Sequence, residues 1–294
     1  MNNRINILVT GSNGQLGRHI AWLASGSSDN YMFADIEELD ITDKRAVDRY
    51  VADNKIDVII NCAAYTNVDQ AEDNEADAMH INATAVGYLA DSMKNNGGTL
   101  IHISTDYVFG GERHNTPIAE DAEPNPRGAY GRTKLAGEKQ VIASGCKYLI
   151  IRTAWLYSEY GKNFVKTMMA LTGSREEVRV VEDQVGSPTY AGDLASAIFE
   201  IVEERKYADN QGIYHYTNEG VCSWYDFAME IKQMAGNERC RVTPCRSAEY
   251  PSKVERPSYS VLDKSKCKQT FKIEIPYWKE SLEKCIKNIK SSDQ

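Results

Sequence analysis

No run of apolar residues in this chain approaches the roughly 20 needed to cross a bilayer as a helix. The apolar stretch within the first ten residues is too short and too polar to be expected as a secretory leader. An excess of basic charge is missing as well: 34 Lys and Arg stand against 42 Asp and Glu, a formal net charge of −8. Nucleic acid and anionic membranes reward clustered Lys and Arg, so neither is an expected partner. A local basic pocket for a small anionic substrate is compatible with that balance. The seven cysteines (Cys62, Cys146, Cys222, Cys240, Cys245, Cys267 and Cys285) are odd in number and include no C-x-x-C pair. They read as reduced thiols of a cytoplasmic protein. The five histidines lack metal-ligand spacing, which argues against a zinc site. Repeats, low-complexity tracts and long linkers are absent too.

What is present is an alternation. Apolar residues make up 42% of the 294, enough for a sizeable core in one large domain or two smaller ones. Five short apolar runs, at 5–10, 31–35, 57–63, 99–104 and 148–153, read as strands. Helical patterns separate them: one follows the first strand toward residue 25, and others lie near 43–54, 75–95 and 130–144. Strands apolar on both faces with helices between them imply a parallel sheet covered on both sides, a Rossmann-type doubly wound α/β fold. After about residue 155 the strand signals thin out and prolines gather (Pro188, Pro244, Pro257, Pro276). Residues 191–204 still read as a sheet-covering helix and 212–216 as a further strand. Ser223 is placed to cap a helix beginning at Trp224. The last helix, 278–289, has Leu282, Cys285, Ile286 and Ile289 on one face and is read as docked on the surface. The expected division is therefore a dinucleotide-binding domain at 1–155 and about 191–216. A smaller, mostly C-terminal α/β substrate-binding domain would take about 156–190 and 217–294.

Gly11-Ser-Asn-Gly14-Gln-Leu-Gly17 forms G-x-x-G-x-x-G directly after a strand and before a helix. Glycines let the backbone approach a pyrophosphate, and the helix N-terminus offers free N–H groups and a positive dipole end. An ordinary tight strand-to-helix turn is the competing explanation. The second strand ends in Asp35, where a carboxylate accepts from the adenosine ribose hydroxyls and repels a 2′-phosphate. Ile36 stands where a cation would pair with that phosphate. NADH is thus expected to serve at least as well as NADPH.

Tyr130 and Lys134, at i and i+4, share one face of a helix. A free tyrosine, with a pKa of about 10, is idle as an acid or base at neutral pH. A neighbouring ammonium and a nicotinamide cation are expected to lower that value and make the phenol useful for moving a proton. Lys134 can also reach a nicotinamide ribose. The fourth strand runs out into Ser104-Thr105, at the end of the sheet where open α/β folds bind ligands, and Thr105 is placed to hold the same substrate oxygen.

These motifs occur in order with Leu39-Asp-Ile-Thr-Asp43, Asn61-Cys-Ala-Ala-Tyr-Thr-Asn-Val-Asp69, Ser104-Thr-Asp-Tyr-Val-Phe109, Arg152-Thr-Ala-Trp155, Asp183-Gln-Val-Gly-Ser-Pro-Thr189 and Arg256-Pro-Ser-Tyr-Ser-Val-Leu-Asp263. Nearly end to end, the chain resembles the extended short-chain dehydrogenase/reductases acting on nucleotide sugars, and most nearly the dTDP-4-dehydrorhamnose reductases. The resemblance implies hydride transfer from NADH or NADPH to the 4-keto carbon of dTDP-4-dehydro-L-rhamnose, yielding dTDP-L-rhamnose, a polysaccharide precursor. It implies that Gly14, Gln15 and Leu16 cradle the pyrophosphate, with Gly11 and Gly17 of the same loop on the cofactor side. Asp40 and Ile41 would lie near the adenine, and Ala63, Ala64 and Tyr65 along the cofactor. Ser104, Thr105 and Trp155 would contact the sugar nucleotide, with Tyr130 as proton donor and Lys134 its partner. Arg256, pairing with the diphosphate, and the loop 183–189 would stand on the substrate side. Magnesium and a homodimer enter by resemblance alone. The related nucleotide-sugar 4,6-dehydratases carry Thr-Asp-Glu where this chain has Thr105-Asp106-Tyr107. The missing second carboxylate points to plain ketone reduction. Two other uses of the scaffold stay open. One is a reductase or epimerase acting on another nucleotide sugar; the other is a non-catalytic subunit like the regulatory partner of methionine adenosyltransferase.

Overall fold

The computed structural model describes residues 4–110, 114–250 and 252–292. The apolar runs form β1 (Asn6–Thr10), β2 (Asn30–Ala34), β3 (Val58–Asn61), β4 (Thr99–Thr105) and β5 (Lys147–Thr153). The chain then makes β6 (Leu156–Tyr157), β7 (Glu177–Val181), β8 (Val185–Gly186) and β9 (Thr189–Tyr190), returns to the main sheet with β10 (Gly212–His215), and leaves again through β11 (Cys222–Ser223), β12 (Arg241–Cys245) and β13 (Tyr259–Ser260). The main sheet is six-stranded and parallel, in the order β10-β5-β4-β3-β1-β2. Strand order reverses between β1 and β3, and ligands of such sheets bind at that crevice, beyond the strands' carboxyl ends.

The helices in chain order are α1 (Gln15–Ala24), α2 (Lys44–Asp53), α3 (Val68–Ala71), α4 (Glu75–Met79), α5 (Ala85–Asn96), α6 (Ala129–Ser144), α7 (Phe164–Ser174), α8 (Ala191–Glu203), α9 (Trp224–Ala235), α10 (Ser265–Phe271) and α11 (Trp278–Ser292). Strand side chains alternate between faces. Ile7 and Val9 therefore join Ile20 of α1 and Leu194 and Ile198 of α8 in one core. Leu8 joins Val47 of α2, Leu89 of α5 and Val141 of α6 in another. Helix ends are set locally. Asp43 caps α2 by accepting from Arg45 N and Ala46 N, and Ser223 with Asp226 forms a reciprocal capping box on α9.

A further core gathers Tyr157, Val165, Val178, Phe227, Ile231 and the apolar face of α11, including Leu282, Cys285, Ile286 and Ile289. Residues 217–294 were expected to stand together, yet Cys267, Phe271 and Ile273, in and just after α10, pack into the first core beneath the main sheet. The seven-residue α10 is too short and polar to announce its partner in sequence. The single helical pattern of 75–95 is interrupted: α4 passes into α5 through a π-helical turn, His80–Thr84. Such turns often sit at functional sites.

Candidate active site

Beyond β1 the chain turns at Gly11, whose φ is +64°. A Cβ there would stand 2.6 Å from Ala63 N, and one on Gly17 would stand 2.6 Å from Gly11 O. Both clashes are with backbone, so the loop can pass this closely only as glycine. Gly14 caps α1 without a side-chain hydrogen bond, and the first turn of α1 holds no acidic residue. Its N–H groups and dipole are thereby left for an anion, and the cradle fits a pyrophosphate. Asp35 fastens this loop to the end of β2: Oδ2 accepts from Asn13 N at 3.0 Å and Oδ1 from Ile36 N at 2.9 Å. Asp40 accepts from the backbone N and the hydroxyl of Thr42, and the Thr42 bonds hold its carboxyl below the usual range.

Gln15 turns its side chain the other way. Its Oε1 accepts from Ser158 Oγ and Asn163 Nδ2, both at 3.1 Å. The phosphate loop is thus clasped to the segment between β6 and α7.

The helix α6 brings Tyr130 and Lys134 against the end of β4. Gly137 lets it press onto the carbonyl of Asn82 in the π-helical turn. Asn82 Nδ2 donates to Thr133 Oγ1 at 3.1 Å, and the same amide pairs with both backbone groups of Tyr65. One turn beyond Lys134, the buried Glu138 accepts from Ser104 Oγ at 2.5 Å and from Arg152 Nε and Nη2 at 2.9 and 2.7 Å. Helix, β4 and β5 are locked together by this network.

Lys134 is 2% exposed; its Nζ donates to Ile103 O at 2.7 Å. Burial lowers its pKa to about 8, against the opposing pull of Glu138 and Cys62. The Tyr130 phenol shares the cleft wall with Thr105, and its ring meets Tyr107 edge-on at 5.4 Å. The expectation paired the ammonium with the nicotinamide cation; Lys134 by itself does not lower the phenol's pKa. Burial raises it above its ordinary value, with Asp106 and Tyr107 adding to the rise and only Thr105 opposing. The ammonium is committed to the Ile103 carbonyl, and desolvation of the phenolate dominates. Asp106 is also buried, which raises its carboxyl to about 6 against the opposing pull of Ser260, the Thr105 hydrogen bond and the neighbouring backbone. Its Oδ2 has no partner among the described residues.

A cleft of about 960 Å³ joins these parts. On its wall stand Gly11, Gly14, Gln15, Leu16, Asp35, Asp40, Ile41, Ala63, Ala64, Ser104, Thr105, Tyr130, Lys134, Trp155 and Arg256. Gly17 lies behind it as a packing contact. Tyr65 also leaves the wall: Asn82 holds its backbone, and its ring packs with Ala71, Ala78 and Ala129. The loop 183–189 contributes no wall residue. Asp183 accepts from Ser247 and Ser187 donates to Gly220 O, tying that loop into the surrounding framework. Arg256 reaches Asp69 at 3.4 Å, and its charge acts on the Tyr107 phenol.

Asp106, Phe164 and Trp224 are wall residues that sequence reasoning missed. Asp106 stood in a recognised motif and was read only for what followed it. The two aromatics had no spacing signal. Among the described residues, no three or more His, Cys, Asp or Glu side chains converge on a cation site. No helix among them is long and apolar enough to cross a membrane.

Residues 5–291 match the family model described as the RmlD substrate binding domain. A dTDP-4-dehydrorhamnose reductase of Aggregatibacter actinomycetemcomitans is 40% identical over 293 residues, spanning 97% of this chain and 98% of its own. The crystal structure of a dTDP-4-dehydrorhamnose reductase from Clostridium acetobutylicum superposes with a TM-score of 0.92 at 44% identity, covering 97% of this chain and all of that one. The Bacillus anthracis dTDP-4-dehydrorhamnose reductase, solved in complex with NADP, gives 0.90 at 38% identity over the same shares.

Proposed function

The chain belongs to the RmlD substrate binding domain family, and from that premise we propose that it reduces dTDP-4-dehydro-L-rhamnose to dTDP-L-rhamnose. The carrying observation is one cleft in which an uncapped glycine loop faces Thr105, Tyr130 and Lys134, with Tyr107 where a second carboxylate would be needed for dehydration. Reduced nicotinamide dinucleotide, when bound, supplies hydride to the 4-keto carbon. Gly11, Gly14 and the first N–H groups of α1 bind its pyrophosphate. Asp40 and Ile41 flank the adenine, and Ala63 and Ala64 lie along the dinucleotide. Ser104, Thr105, Trp155 and Arg256 take the sugar nucleotide.

Burial keeps Tyr130 protonated at neutral pH, so it rests in the form that gives a proton to the developing oxyanion, while Thr105 steadies the same oxygen. Lys134 places a cation in the buried corner where the phenolate is left. The dinucleotide side is built from 1–155 and about 191–216, and the sugar side mainly from 156–190 and 217–294. Asp35, already holding Asn13 and Ile36, and the apolar Ile36 beside it favour NADH at least as much as NADPH. The homodimer is carried over with the family.

The test is an oxidation assay with the 4-keto sugar nucleotide and each dinucleotide. Stoichiometric consumption of NADH or NADPH is expected. Sugar interconversion without net oxidation would replace this reading with an epimerase. Absence of turnover, with co-purification of an unrelated enzyme, would replace it with a regulatory subunit.

A further inference from the structure

We propose that Trp224 and Gly186 are positioning residues that hold the Trp155 indole as a rigid wall of the sugar-nucleotide site. This rests on the function proposed above for the identity of the ligand, but not for the geometry. Trp155 has φ +50°, a left-handed backbone that a bulky side chain rarely adopts. It occupies the corner where the chain leaves β5, and its carbonyl accepts from Thr189 N at 3.2 Å. Such a conformation persists only when its surroundings over-determine it.

Two contacts do so. The Trp224 ring lies parallel to Trp155, with centroids 3.5 Å apart and planes 9° from parallel. Trp224 is itself fixed: it opens α9 directly after the Ser223 capping box, and Phe164 packs against it at 4.5 Å. Gly186 closes in on the indole elsewhere. A Cβ there would stand 2.7 Å from Cε2 and 2.8 Å from Cζ2 of Trp155. Gly186 has no left-handed φ to account for its being glycine. Its backbone is paired with Cys222 on one side and Ser260 on the other, so it has little room to retreat. The missing side chain there makes room for the indole. Trp155, Trp224 and Phe164 all face the cleft, half-buried, where an aromatic face suits a pyrimidine or the apolar side of a sugar.

The experiment uses the full chain with Trp224→Leu, Trp224→Phe and Gly186→Ala. KM for the 4-keto sugar nucleotide should rise roughly three- to tenfold in Trp224→Leu and Gly186→Ala. KM for the dinucleotide should stay within twofold, and Trp224→Phe should recover most of the loss. The stacked indoles should give an exciton couplet in circular dichroism that disappears in Trp224→Leu. Binding of thymidine diphosphate, followed by tryptophan fluorescence, should weaken in parallel. Loss of the couplet with unchanged sugar-nucleotide KM and unchanged thymidine diphosphate binding overturns the proposal. If Gly186→Ala fails to fold, the two Trp224 variants decide. Should the chain instead bind a different nucleoside diphosphate, weakened equally by these variants, the substrate reading falls and the positioning role stands.

Discussion

Thr105 Oγ1 donates to the buried Asp106 Oδ1 at 3.0 Å, and both residues stand with Tyr130 on the wall of one cleft. An ionised Asp106 draws the Thr105 proton toward itself; a neutral one leaves that proton for a substrate oxygen. Burial puts the change at about pH 6. Activity is therefore expected to fall as pH rises through about 6, and Asp106→Asn should flatten that step. Rate profiles taken at pH values about two units either side of the Asp106 value check this. The same group costs stability. Because its folded pKa is raised, its favourable contribution is intact below about pH 4 and is lost as pH rises through about 6. Asp106→Asn should then stabilise the fold at pH 8 by on the order of 2 kcal/mol, read by denaturant midpoints.

Tyr130→Phe should lose at least a hundredfold in kcat, in line with the roughly 10²- to 10⁴-fold usually attributed to a positioned acid. Dinucleotide binding, titrated directly, should survive. Because burial raises the phenol's pKa, the parent enzyme should show no decline attributable to Tyr130 ionisation below about pH 10.

Ile36→Arg should raise the preference for NADPH over NADH by roughly tenfold or more, through a charge-assisted contact with the 2′-phosphate. Ile36 is 72% exposed, so the fold should tolerate the change. Paired KM measurements with the two dinucleotides give the answer. An unchanged ratio would mean that the ribose lies elsewhere.

Glu138→Leu would leave Arg152, 2% exposed, without its carboxylate and Ser104 without its acceptor. A loss of about 3–5 kcal/mol is expected from stranding the buried guanidinium, measured by chemical denaturation. Restoring balance with Arg152→Met in the same chain should recover a substantial part.

The main sheet was legible because its strands are uninterrupted apolar runs, and Ser223 announced α9 through a local cap. Thr105, Tyr130 and Lys134 were legible because their order along the chain carries the geometry. The direction of the Tyr130 pKa was not. It depends on burial against Asp106 and Tyr107, which no spacing between Tyr130 and Lys134 encodes. Gln15 sat in the phosphate motif, yet its side chain answers to Ser158 and Asn163, more than 140 residues away. The π-helical turn at 80–84 shifts a helix's phase without changing its composition. The mutual dependence of Gly186 and Trp155 appears only when two distant strands meet.

The small sheet in the order β11-β8-β13 joins three short stretches of chain, at 222–223, 185–186 and 259–260. It supplies the glycine behind Trp155, and its Ser260 is among the groups that hold down the Asp106 carboxyl. Redesign of sugar selectivity by swapping any single loop would split this unit. A chimera that keeps the parent's turnover would have to transplant all three stretches together.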